Sequence, residues 1–368
     1  MKHHSILVLI FLGLTLAGCS RVKTQKYLPD DAQLRYTGRI DVRSDREVVL
    51  IGSASSVSMQ FTGDTCMFFL KNENPDGLHN FFSLELDGED LGRTRIEGDS
   101  MLSFSVPIDF EKDTHRLKII KSTEAANGSI VFGGVICEQL VDLPPLFGKS
   151  IEFIGNSITC GMGNDTSEIP CHTNQWYDQH NAYWAYGPIV GRVLDVNVLL
   201  SSVSGIGIYR RWNTETGPNM PEVYENTYLN TDSSKKWDFS VFTPDIVSIC
   251  LGTNDLSAGD GLSERLPFQP DVFMAGYIAF IELIWSHYPE TQIALLNSPM
   301  LNGEKKEMLQ KCLETIQKHF EESGHKPIAL FAFDDMIPQG CDYHPGMDDH
   351  MQMAAQLIPF YQELLGEN

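Results

Sequence analysis

The sequence predicts two domains of different class: an all-β sandwich over residues 32–143, then a three-layer α/β domain with a five-stranded parallel sheet over residues 150–368. Three observations carry this. Before residue 143, short runs of alternating apolar residues are separated by turn dipeptides, the pattern of half-buried antiparallel strands. After residue 149 the runs become continuously apolar and alternate with helical stretches, as in βαβ units around a sheet covered on both faces. The chain has 368 residues, 42% of them hydrophobic, enough for two cores.

In chain order, residues 1–19 are not fold. Met1-Lys2-His3-His4 precede an apolar run from Ile6 to Leu16, and Ala17-Gly18-Cys19 follows. That is the layout of a secretory signal peptide. Leu16-Ala17-Gly18-Cys19 also resembles the lipobox of bacterial lipoproteins. It implies an exported chain, lipid-anchored through Cys19, in the periplasm or at the cell surface; the alternative is an ordinary cleaved signal. Residues 20–31 are polar and read as a tether.

Strands are expected at 48–51, 57–61, 66–70, 81–86, 102–106, 115–120 and 130–132. Asp76-Gly77, Asp87-Gly88 and Asn127-Gly128 supply turns. Residues 144–149, with two prolines, form a stiff linker. Parallel strands are expected at 151–156, 196–202, 245–251, 292–298 and 328–333. Helices are expected from Asn181 to Leu194, Asp271 to His287, Glu304 to Phe320 and Asp348 to Leu365, the second with Asp271 as N-cap. Residues 209–243 are too long and polar for a simple crossover. With Arg210, Arg211, Trp212, Tyr224, Tyr228 and Trp237, they are expected to shape a substrate cleft.

Composition excludes some functions. A net charge of −22 argues against nucleic acid, whose phosphates are met largely by Lys and Arg. Eight cysteines are present. With Cys19 assigned to lipid an odd number remains, so at least one thiol is free. Cys137, Cys250 and Cys312 lie in apolar contexts and read as buried. No cysteine pair has zinc-finger spacing. His79, His115 and His172 form no ligand pattern and are assigned to the surface. No metal or cofactor is expected.

The carboxyl ends of parallel strands are where α/β sheets bind ligands. The first delivers Gly155-Asn156-Ser157, and the second Ser204-Gly205. The third delivers Gly252-Thr253-Asn254-Asp255, and Asp342-Tyr343-His344-Pro345 follows the fifth. A serine hydroxyl is a weak nucleophile and needs a base and an oxyanion site. His344 has the ordinary pKa of a general base near neutrality. Glycine lets a bare N–H approach a ligand, and Asn254 can donate through its amide.

These residues resemble the Ser, Gly, Asn and His blocks of the SGNH hydrolase superfamily. The preceding β domain, Ser157-Ile158-Thr159-Cys160-Gly161, Ala185-Tyr186-Gly187-Pro188 and Asp342-Tyr343-His344-Pro345 are more closely similar to carbohydrate esterase family 2. The resemblance covers about residues 33–368. It implies a jelly-roll first domain and a flavodoxin-like SGNH hydrolase domain. The implied activity is removal of O-acetyl groups from plant cell-wall polysaccharides such as acetylated mannan or xylan, through an acetyl-enzyme intermediate. Ser157 is then the nucleophile and His344 the base. The Ser157 N–H, the Gly205 N–H and the Asn254 amide form the oxyanion hole. Asn156 stands where the common block has aspartate, and Cys341 where many superfamily members place the triad acid. Asp342, two residues before His344, is taken as the third catalytic member; a Ser–His dyad oriented by a backbone carbonyl is the alternative. Two other functions stay open: an esterase, lipase or thioesterase acting on a lipid or other small ester, and a lipid-anchored carbohydrate-binding protein without catalysis.

Overall fold

A computed structural model describes residues 23–366, except 44–46, 75, 107, 109–111 and 147. The expected signal peptide and Cys19 lie outside the described residues. Among the described residues, ten strands build the first domain: β1 Gln25–Tyr27, β2 Arg35–Thr37, β3 Ile40–Val42, β4 Val48–Leu50, β5 Ser56–Glu73, β6 Asn80–Leu86, β7 Glu89–Ile96, β8 Leu102–Ser105, β9 Thr114–Lys121 and β10 Ser129–Val141. Their order is β3-β4-β10-β5-β9-β6-β7, with β1 on β10 and both β2 and β8 on β5. Every pairing is antiparallel.

The tether expected over 20–31 is partly strand, because β1 pairs with Val135–Cys137. The two runs expected at 57–61 and 66–70 form one long strand, β5. Met59 and Phe61 point into the core before the break, and Cys66, Phe68 and Leu70 after it. Burial thus switches from odd to even positions across Gly63, whose φ is +91°, as a bulge requires. The first half of β5 pairs with β9 and the second half with β8. These core residues meet Val57, Leu117, Ile119, Ile130 and Phe132 in one apolar cluster.

The second domain holds β11 Ser150–Gly155, β12 Asn197–Ser202, β13 Ile246–Cys250, β14 Gln292–Leu296 and β15 Ala329–Phe331. The sheet is parallel, in the order β12-β11-β13-β14-β15. Its helices are α1 Ser157–Cys160, α2 Tyr186–Leu194, α3 Met220–Val223, α4 Pro270–His287, α5 Gly303–Glu322 and α6 Met347–Leu365. Ile151 and Phe153 of β11 face α2 and α6, while Ile154 faces the side covered by α4 and α5. Strands apolar on both faces are the reason the sequence shows continuous runs here. The N-cap of α4 is Gln269, not Asp271. Pro270 takes the first helical position, where its missing N–H loses nothing, and so moves the start forward.

The domains join through buried polar contacts. Arg39 is fully buried, donates to Ser201 Oγ from Nε at 3.2 Å and Nη2 at 3.1 Å, and lies 3.9 Å from Glu152. Its guanidinium lies over the Trp237 ring at 4.8 Å and the Tyr224 ring at 5.3 Å. Two histidines assigned to the surface are buried instead. His79 meets Asp178 across the junction at 2.5 Å, and His115 pairs with Asp87 at 2.9 Å. In each a carboxylate meets one ring nitrogen, which offsets part of the cost of burying the ring. His172 is exposed.

Candidate active site

The site forms where three strand ends lie side by side. Gly155 is in register with Ser202 of β12 and Cys250 of β13. Adjacent strands are about 4.8 Å apart, so the loops leaving them converge. The strand order reverses at β11, the switch point at which such sheets bind ligands.

Gly155 turns directly into α1. A Cβ on it would stand 2.0 Å from Thr159 Oγ1, so only glycine fits. Asn156 caps α1 by accepting the Ile158 N–H at 3.1 Å through Oδ1. Ser157 opens the helix, 6% exposed. Its Oγ lies 2.8 Å from Nε2 of His344.

His344 comes from the loop after β15. Its Nδ1 lies 2.9 Å from the carbonyl oxygen of Asp342. The hydrogen bond expected from the Asp342 carboxylate is therefore made by the main chain of the same residue. The carboxylate turns outward, 3.5 Å from Nδ1 of His172. The cause is backbone shape: Asp342 and Tyr343 both have positive φ, 52° and 63°, which rotates the side chain away and the carbonyl inward. Burial holds the His344 imidazole below its ordinary value, against the raising effect of the Asp342 carbonyl and charge. An imidazole oriented this way, neutral and bonded to a hydroxyl, can take that hydroxyl's proton.

Gly205 follows β12 with φ of +76°, and a Cβ on it would meet the Trp212 ring at 2.7 Å. Asn254 follows β13, 7% exposed, and one of its two amide protons goes to the Ile206 carbonyl at 2.7 Å. That bond ties two oxyanion candidates together and leaves the second amide proton for a ligand. Several supporting residues escaped the sequence. The buried Asp255 carboxylate accepts the N–H groups of Ile208 and Tyr209 at 3.0 Å, pinning the loop after β12 to the turn after β13. Burial raises its pKa to about 6. Arg265 donates to the carbonyls of Asn254 at 2.9 Å and Thr214 at 2.8 Å. Cys171 and Cys341 form a disulfide beside His344; seven candidate cysteines allowed too many pairings for spacing to single it out.

The stretch 209–243 shapes the site less than expected. Arg210, Tyr224 and Trp237 are buried. Tyr224 donates to Glu152 at 2.9 Å, and Tyr228 donates to Asp41 of the first domain at 2.8 Å. Arg211 and Trp212 are the members that reach Gly205. Trp212 is 39% exposed and Tyr343, beside His344, is 87% exposed. Among the described residues, no group of His, Cys, Asp or Glu could hold a metal ion.

Residues 153–356, which carry this whole constellation, match the GDSL-like lipase/acylhydrolase family. The chain belongs to that family. The acylhydrolase domain is preceded by a match to the carbohydrate esterase 2 N-terminal domain at residues 36–145. The chain is 27% identical to the cellulase/esterase CelE of Acetivibrio thermocellus over 343 residues, 92% of this chain but 40% of that relative. It is 28% identical to an acetylxylan esterase/glucomannan deacetylase of Cellvibrio japonicus over 255 residues, 68% of this chain and 67% of that one. Among solved structures, a family two carbohydrate esterase from Clostridium thermocellum in complex with cellohexaose aligns with a TM-score of 0.80 and 27% identity, covering 91% of this chain and all of that one. A family two carbohydrate esterase from Cellvibrio japonicus shares the fold with a TM-score of 0.82 at 23% identity, covering 94% and 99%.

Proposed function

We propose that this acylhydrolase is a serine esterase that removes O-acetyl groups from plant cell-wall polysaccharides or oligosaccharides of the acetylated mannan or xylan type. The observation that carries the chemistry is the 2.8 Å contact between Ser157 Oγ and His344 Nε2 at the sheet's switch point. The polysaccharide substrate is supported by the paired domains and by relatives named acetylxylan esterase/glucomannan deacetylase. The exposed rings of Trp212 and Tyr343 suit a sugar surface, which is apolar on its faces and polar at its edges.

In this reaction Ser157 Oγ attacks the acetyl carbonyl carbon as His344 Nε2 takes its proton. The carbonyl oxygen becomes the oxyanion and meets the N–H groups of Ser157 and Gly205 and the free amide proton of Asn254. The sugar oxygen leaves with the proton from His344. Water then gives a proton to His344 and attacks the acetyl-enzyme; acetate departs and Ser157 recovers its proton. Export and lipid anchoring through Cys19 belong to the same proposal, since a polysaccharide must be met outside the cell.

The test is acetate release from acetylated mannan, xylan and pectin by the full chain, with Ser157→Ala as control. Release from mannan or xylan that the control abolishes is expected. Hydrolysis of long-chain acyl esters without acetate release would favour a lipid substrate. Binding of the polysaccharides with no hydrolysis at all would make the chain a binding protein.

A further inference from the structure

The β domain closes on the acylhydrolase domain directly behind the loop that carries Gly205. Glu124, between β9 and β10, is fully buried there. Its Oε2 accepts the Ser204 N–H at 2.8 Å. The Cys160 thiol of α1, the helix that begins with Ser157, faces the same carboxylate. Glu124 therefore touches both elements that converge on the ester.

The Ser204 carbonyl in turn accepts from Arg211 Nη2 at 3.2 Å. A trans peptide is planar, with its C=O and N–H pointing opposite ways. Fixing the Ser204 carbonyl on Arg211 thus fixes the direction of the Gly205 N–H. Glu124 anchors the other side of the same residue, and its charge attracts the Arg211 guanidinium. Lys121, also buried, donates to the carbonyls of Thr123 at 2.9 Å and Glu124 at 2.7 Å. It fixes the turn that presents Glu124.

We propose that Glu124 is a positioning residue for ester hydrolysis: from the β domain, it anchors Ser204 through its N–H, and so places the Ser204–Gly205 peptide that follows for the Gly205 N–H to meet the oxyanion. The proposal rests on the esterase activity proposed above. It makes the β domain part of the catalytic apparatus.

The test uses the full chain, an acetyl ester such as 4-nitrophenyl acetate, and three variants. Glu124→Ala loses the acceptor and should lower kcat by about 10²-fold, the scale of a small misplacement of a catalytic group. Its KM should stay within about twofold, because the lost contact acts on the transition state. Glu124→Gln keeps an oxygen for the Ser204 N–H and should stay within about threefold of wild type in kcat. If Glu124→Ala fails to fold, the double variant Lys121→Met with Glu124→Leu fills the space of both side chains and avoids burying the Lys121 ammonium without the nearby carboxylate. It should fold cooperatively and show the full kcat loss. Wild-type kcat in a folded Ala or double variant would overturn the proposal. So would a loss confined to KM, or a Gln variant as slow as the Ala variant. A wild-type chain inactive on every acetyl ester would overturn the esterase activity itself; an active wild type matched by Glu124→Ala overturns the positioning role alone.

Discussion

The carbonyl oxygen of Asp342 lies 2.9 Å from Nδ1 of His344, two residues on, while the Asp342 carboxylate points away toward His172. A carbonyl can only accept, so Nδ1 carries the proton and Nε2 presents its lone pair to Ser157. The ring is oriented by a neutral dipole, and among the described residues no carboxylate is hydrogen-bonded to it.

It follows that the Asp342 side chain should be dispensable. Asp342→Asn and Asp342→Gly both tolerate a positive φ and keep the carbonyl. Both should retain kcat within about tenfold, against the roughly 10⁴-fold loss when the carboxylate of a serine-protease triad is replaced by its amide. His344→Ala should be inactive. A loss of about 10³-fold in both Asp342 variants, measured on a soluble acetyl ester, would restore the carboxylate to the mechanism.

The pH profile follows from the burial of His344. Its pKa lies below the ordinary 6.5 because desolvation penalises the charged ring. The base is competent only when neutral. Activity should therefore rise with pH through an ionisation below 6.5 and be level at neutrality. In kcat/KM this reports the free enzyme. Buried His350, pushed down to about 3, and His180, held well below its usual value, act on stability with the same sign. The unfolded chain binds protons at these rings near 6.5 and the native chain does not. Stability is thus lost as pH falls below that value. Acid melting curves flat between neutrality and pH about 4 would contradict this.

The strand ends that deliver Ser157, Gly205 and Asn254 were legible because the parallel strands are largely apolar and each stops at a polar or glycine turn. What supports them was not. Glu124 lies in the other domain, and nothing local to Lys121-Ser122-Thr123-Glu124 marks it as facing Ser204. His79 and His115 read as surface groups because their partners Asp178 and Asp87 are 99 and 28 residues away. The side of the chain on which Asp342 falls depends on two consecutive left-handed residues, neither of them glycine. A side-chain periodicity argument assumes ordinary φ and fails at such a place.

Asn254 should affect rate rather than affinity. In the proposed mechanism its free amide proton meets charge present only in the transition state, and losing one such donor costs about 10²–10³ in kcat. Asn254→Ala should therefore lower kcat with little change in KM. The same substitution also removes the tie to the Ile206 carbonyl at 2.7 Å, and so does Asn254→Asp, since a carboxylate cannot donate to a carbonyl. It keeps the size but replaces the donor with a charged acceptor, and should be at least as slow. An unchanged kcat with a raised KM in both would make Asn254 a substrate contact.

The last prediction concerns Cys341, three residues before His344, where many superfamily members place an acid. Here it is bonded to Cys171, 170 residues earlier in the chain. The Cys341 N–H donates to the Gly163 carbonyl at 2.9 Å, and Gly340 N–H closes the loop onto the His344 carbonyl at 2.8 Å. Between these anchors stand Asp342 and Tyr343, both left-handed, a conformation that costs about 1–2 kcal/mol for each non-glycine residue. Such a backbone persists only where its surroundings overdetermine it. The disulfide and the Gly163 carbonyl both fasten Cys341, the residue that precedes Asp342. Cys171→Ser should therefore lower kcat by about tenfold or more as the ring loses its orientation, while KM moves little. It should also lower the melting temperature, since a cross-link closing a long loop contributes about 2–5 kcal/mol. Wild type treated with a thiol reductant should fall to the level of the variant, and the variant should not respond to reductant. A Cys171→Ser enzyme that melts early yet keeps wild-type kcat would show that the bond staples the fold without holding the histidine.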